Sequence, residues 1–117
     1  MEFSVLFFET SGGSCPVRDF LEELKRTNPG DHQAVLAGLA RLRDVRNHRE
    51  PLSKSVGDGL FELRHVGKLN TRVLWFFREG RRIILLHGIR NKGQKIAKAD
   101  LETAKCRMID WNRRNPK

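Results

Sequence analysis

Three successive runs between residues 60 and 90 alternate apolar and polar positions with a period of two. They span roughly 60–66, 70–78 and 82–90, and each predicts a β-strand. Gly67-Lys68 and Glu79-Gly80 lie between the runs and suit hairpin turns, so the strands read as an antiparallel meander. Upstream, "FSVLFF" at 3–8 is rich in aromatic and branched residues and predicts a buried first strand. The period then changes. After Ser14 or Cys15 as a cap and Pro16 in the first turn, Val17, Phe20, Leu21 and Leu24 recur at helical spacing as far as "TNPGD". Asp31 opens a second helix with Val35, Leu36, Leu39, Leu42 and Val45 as its apolar stripe, ending before Pro51. "EPLSKSVGDG" has no periodicity and reads as a loop. A last helix is expected from about Ala99 to Asn112, with Asp100 and Glu102 in its first turn and Leu101, Ala104, Met108 and Trp111 facing inward. The element order is therefore β-α-α-β-β-β-α, an α/β chain of the α+β kind in one domain, 1–117. Both early helices pack on one face of the sheet, which leaves the other as a working surface.

Alternation also sorts the strand residues into faces. Phe61, Leu63 and His65 oppose Leu60, Glu62, Arg64 and Val66, while Val73, Trp75 and Phe77 oppose Arg72, Leu74, Phe76 and Arg78. The third strand places Ile83, Leu85, His87 and Ile89 against Arg82, Ile84, Leu86 and Arg90. Arg64 and Arg72 thus share a face, as cross-strand or diagonal neighbours. Arg90, Lys92 and Lys95 follow within six residues at the end of the third strand. Guanidinium and ammonium groups converging on one surface suit a phosphodiester, since arginine pairs phosphate oxygens bidentately and stabilises the charge of a pentacoordinate transition state. Glu62 is the internal acid available to pair with them.

The net charge is +9 and it is unevenly placed. Residues 1–59 hold 8 Lys/Arg against 9 Asp/Glu, a net −1, whereas residues 60–117 hold 15 against 5, a net +10. That concentration on the sheet-forming half points to a polyanion or an acidic protein partner. The two cysteines, Cys15 and Cys106, stand apart from each other and from any ligand spacing, and read as reduced, packed thiols. His32, His48, His65 and His87 are scattered, so neither a metal site nor a cofactor is expected. No apolar run approaches the roughly 20 residues that span a bilayer. The first residues lack the basic leader of a secretory signal, and the expected location is the cytoplasm, with no membrane partner.

"LFELR" at 60–64, "TRVLWFF" at 71–77, "IILLHGI" at 83–89, the basic turn after it, "ADLETAKCRMIDW" at 99–111 and the earlier "CPVRDFLEEL" resemble, in this order, the RelE/HigB toxins of bacterial toxin-antitoxin modules. The phage-derived, Gp49-like branch is the nearest in pattern. The resemblance implies a RelE-like fold and a toxin that cleaves messenger RNA on the ribosome, held inactive by a small HigA-like antitoxin. It implies chemistry without a metal, in which the ribose 2′-OH attacks the adjacent phosphorus and leaves a 2′,3′-cyclic phosphate. Residue by residue, it assigns phosphate binding and transition-state stabilisation to Arg64 and Arg72, and further catalytic or RNA contacts to Lys92 and Lys95 in the basic turn. His87 takes the family's "LHG" position, where its titration range suits proton transfer. Its alternation with Leu85 and Ile89 equally suits a core histidine. Lys68, Arg78, Arg82 and Arg90 are the expected auxiliary RNA contacts. In one respect the chain departs from the pattern: several members use a tyrosine near the chain end, and this chain has no tyrosine. Trp111 can stack a base, although its spacing with Leu101 and Met108 favours the core. Two other functions fit the same charge pattern, an inactive homologue that binds only its antitoxin and a basic RNA-binding module without nuclease activity.

Overall fold

The computed structural model describes residues 2–64, 71–90 and 95–116. In chain order its elements are β1 (Ser4–Phe7), α1 (Pro16–Thr27), α2 (Pro29–Arg41), β2 (Ser53–Gly57), β3 (Leu60–Arg64), β4 (Thr71–Arg78), β5 (Arg82–Arg90) and α3 (Lys98–Arg114), with a short 3₁₀ turn at Val45–Asn47. The strands form a single sheet in the order β1-β5-β4-β3-β2, antiparallel except where β1 runs parallel to β5. The expected α+β class and the meander β3-β4-β5 are both present, but the expected turn at Gly67-Lys68 lies outside the described residues.

The segment read as a loop contains an extra strand, so the order becomes β-α-α-β-β-β-β-α. β2 is an edge strand with β3 on one side only, and most of it is exposed, so burial imposes no alternation on its sequence. Asp58 and Gly59, both at positive φ, turn it into β3. This is an Asp-Gly hairpin, the one local signal of β2 in the sequence.

Two apolar layers cover the sheet. On one face Val17, Leu21 and Leu24 of α1 and Val35 and Leu39 of α2 pack against Leu63, Val73, Trp75, Ile83 and Leu85. On the other, Ala104 of α3, with Leu101, Met108 and Trp111 beside it, packs against Leu60, Leu74, Phe76, Ile84, Leu86 and Ile89. The face expected to be a working surface is therefore covered at its centre by α3. Trp111 belongs to this layer, as its spacing suggests.

Asn28 both ends α1 and begins α2, its N–H donating to Leu24 O and its Oδ1 accepting from Asp31 N. α2 thus starts two residues before Asp31 and stops at Arg41. Leu36 and Val45, placed on the apolar stripe by periodicity, are exposed. Val45 lies beyond the helix, where its register no longer holds. Cys15 is buried as expected, but Cys106 is exposed on α3.

A β-bulge changes the faces along β5. Leu74 pairs with His87 and Trp75 with Leu85, so Leu86 is an extra residue. Up to Leu86 the faces follow the alternation expected for this strand. Past it they reverse: His87 and Ile89 turn toward α3, while Gly88 and Arg90 turn toward α1. The grouping of His87 and Ile89 with Ile83 and Leu85, and of Arg90 with Arg82, is corrected accordingly. Gly88 sits under the Phe20 ring of α1, and a Cβ there would lie 2.3 Å from the ring. Gly88→Ala is expected to cost about 1–3 kcal/mol by forcing Phe20 out of its rotamer, measurable as a lowered midpoint in urea denaturation.

Candidate active site

β3 and β4 each bring one arginine to the α3 face at the same level, because the register pairs Arg64 directly with Arg72. Two like charges at directly opposed positions repel. The row beside them supplies the compensation, with Lys54, Glu62, Leu74 and His87 side by side across β2, β3, β4 and β5. Glu62 is 3% exposed. Its Oε1 lies 3.2 Å from Arg64 Nε and its Oε2 lies 4.0 Å from Arg72 Nη1. One buried carboxylate thus faces both guanidiniums, the geometry in which a buried charge is tolerated.

Above this triad is a pocket of about 260 Å³. Lys54, Glu62, Arg64 and Lys95 form its polar wall, and Val56, Ile96 and Leu101 its apolar wall. Lys95 is exposed at the rim. Glu50, also mostly exposed, approaches Arg64 Nη1 to 3.5 Å from outside the pocket. Cations over a buried carboxylate and an aliphatic wall in one concavity can hold a phosphodiester with its nucleoside.

The candidates from the sequence separate into groups. Arg64, Arg72 and Lys95 come together. Arg72 is 5% exposed and lies beneath the pocket, so it is a buried charge and not the solvent-facing side chain that strand alternation implied. Lys92 and Lys68 lie outside the described residues. His87 shares the Glu62 row but is about 10 Å away, two strand spacings across the sheet. Its Nε2–H donates to Asp100 Oδ1 at 2.8 Å, and its Nδ1 accepts from Arg107 Nη1 at 3.2 Å. Arginine only donates, so Nδ1 is the accepting nitrogen of this pair. Arg107 also donates to Leu86 O, and burial pulls its guanidinium below its ordinary pKa. His87 is therefore engaged at both nitrogens under α3 and does not line the pocket. Arg78 and Arg82 pair at the far end of the hairpin, some six residues or about 20 Å along β4 from Arg72. Arg78 donates to Asn115 O, Arg82 to Glu79 O, and Arg90 to Thr27 Oγ1 on the opposite face.

Lys54 and the Val56 wall were hidden in the segment read as a loop, and the Asp58-Gly59 turn was the signal that would have revealed them. For Glu50 and Ile96, sequence offered no signal, since their approach depends on how two loops meet the sheet.

The family model described as "Phage derived protein Gp49-like" matches residues 22–109, which include every described side chain of the triad and pocket. No curated protein matches the chain.

Burial of the triad predicts an order of stabilities. Arg72→Ala removes one partner of a buried carboxylate and is expected to cost about 3 kcal/mol. Arg64→Ala also removes a partner of Glu62, but at a position where water can enter and solvate the carboxylate, and is expected to cost about 1 kcal/mol. Urea denaturation of both variants checks this, and equal midpoints would contradict the buried placement of Arg72.

Proposed function

The chain belongs to the phage-derived Gp49-like family, a family of RelE-like toxins, and from that premise we propose that it cleaves messenger RNA at the ribosome without a metal. A toxin of this kind implies an antitoxin partner. The proposed partner is a small HigA-like protein, and the proposed location is the cytoplasm; among the described residues no helix is long and apolar enough to cross a membrane. The single observation that carries the proposal is the meeting of Arg64, Lys54 and Lys95 around one pocket, over the buried Glu62–Arg72 pair.

In this reading the ribose 2′-OH attacks the adjacent phosphorus and the P–O5′ bond breaks, giving a 2′,3′-cyclic phosphate and a 5′-OH. The proton from the 2′-OH passes to a base, and the departing 5′ oxygen takes one from an acid. Arg64, Lys54 and Lys95 bind the non-bridging oxygens, whose charge grows from one to two as phosphorus becomes pentacoordinate. Arg72 contributes a fixed positive charge from below. Glu50 is the described carboxylate placed to accept a proton, and Lys95 is the ammonium placed to donate one. Lys92 retains its proposed role as a further cation on the RNA. His87, held by Asp100 and Arg107, is left out of the proton transfers, and Arg78, Arg82 and Arg90 act at most on more distant phosphates.

A second reading, a basic protein that binds its antitoxin or RNA without cutting, is favoured by the absence of tyrosine and by the engagement of His87. Charge does not separate the two, because both give salt-dependent binding. Cell-free translation with wild type beside Arg64→Ala, mapping new RNA ends with and without ribosomes, does. The expected outcome is discrete cuts within translated codons, present with ribosomes and slowed about 100-fold by Arg64→Ala. No new ends from folded wild type would replace the nuclease reading with the binding one.

A further inference from the structure

Glu62 is a carboxylate among the cations proposed to hold RNA, and a negative charge there opposes RNA binding. Its placement is nonetheless specific. It is 3% exposed, it sits one row from the directly opposed Arg64 and Arg72, and it faces both, at 3.2 Å and 4.0 Å. Glu62 engages Arg64 at Nε, so the Nη side of that guanidinium is left to other partners: Nη1 meets Glu50 outside the pocket, which Arg64 itself lines. Lys54, the cross-strand neighbour of Glu62, adds a third cation on the same wall.

We propose that Glu62 is the positioning residue of this site: it holds two mutually repelling arginines on one face, in fixed orientation, at the expense of affinity for RNA. This role rests on the nuclease reading above. Glutamine at this position keeps the size and one acceptor oxygen for Arg64 Nε–H, but directs its amide NH₂ at Arg72, donor against donor. Arg72 then loses this hold, and the two opposed arginines repel with no carboxylate between them while the local positive charge rises by one.

Three possible roles give three different signatures for Glu62→Gln. Positioning lowers kcat while RNA binding tightens, because orientation serves the transition state and the missing negative charge favours every bound anion. A purely electrostatic role raises both, since the transition state carries more negative charge than the bound RNA. A scaffold role lowers both together, in step with the folded fraction.

The experiment measures kcat and KM on ribosomes carrying a defined message, and the Kd for an RNA whose 2′-OH at the cut site is replaced by hydrogen. For Glu62→Gln we expect kcat lowered about tenfold or more, KM not raised, and Kd lowered about two- to fivefold. An unchanged kcat, or kcat and affinity moving in the same direction, overturns the proposal. Should the glutamine variant not fold, Glu62→Asp replaces it. The shortened carboxylate keeps the charge but withdraws from Arg64 Nε, so slowed cleavage with unchanged Kd is expected, and unchanged cleavage overturns the role. Wild type that cuts no RNA removes the nuclease reading itself and this role with it. That outcome is distinct from wild type that cuts beside a variant that cuts equally well.

Discussion

Burial of β4 on both faces is the constraint from which the rest follows. Thr71 to Phe76 are all buried, Val73 and Trp75 under α1 and α2, Leu74 and Phe76 under α3. A strand enclosed on both sides leaves RNA no access at its centre, so any ligand must approach at an end or an edge. At the Arg72 end α3 has begun only with Leu101 overhead, and the pocket is what remains between that first turn, the β2 edge and the strand ends. The site is thus a by-product of how far one helix reaches along the sheet.

The same enclosure explains the chemistry of that end. A charge on a doubly buried strand needs a partner, and Arg72 has one in Glu62. Arg64, on the next strand out, is half-buried and reaches both the buried carboxylate and the exposed Glu50. The cations therefore grade from a fixed, desolvated charge beneath the pocket to hydrated ones at its rim. Such a gradient suits a phosphodiester, for which rim cations aid capture and buried charge acts without solvent reorganisation.

Strand β5 gives an instructive case of reversal. Before Leu86 its alternation is legible and correct. The bulge at Leu86 inverts the remainder, so His87 goes to Asp100 and Arg107, and Arg90 goes to Thr27. No local residue preference announces the extra residue. It falls just past Leu85, the last residue of β5 in register with β1, where β5 continues along β4.

The amino-acid sequence determined by itself what local periodicity and charge can determine: three helices, the first strand and the meander, the apolar face of α3, and the confinement of net positive charge to residues 60–117. It also placed Arg64 and Arg72 on a common face, because that follows from a period of two on either side of a turn. Tertiary structure alone decided which of these arginines is buried, that His87 leaves the site, and that Lys54 enters it from an edge strand without alternation. The physical reason is range. Alternation and helical spacing act over a few residues, whereas burial and the pocket depend on α3 and β2 meeting β3 and β4 across the sheet, and the bulge on how β5 pairs β4, contacts that no local pattern encodes.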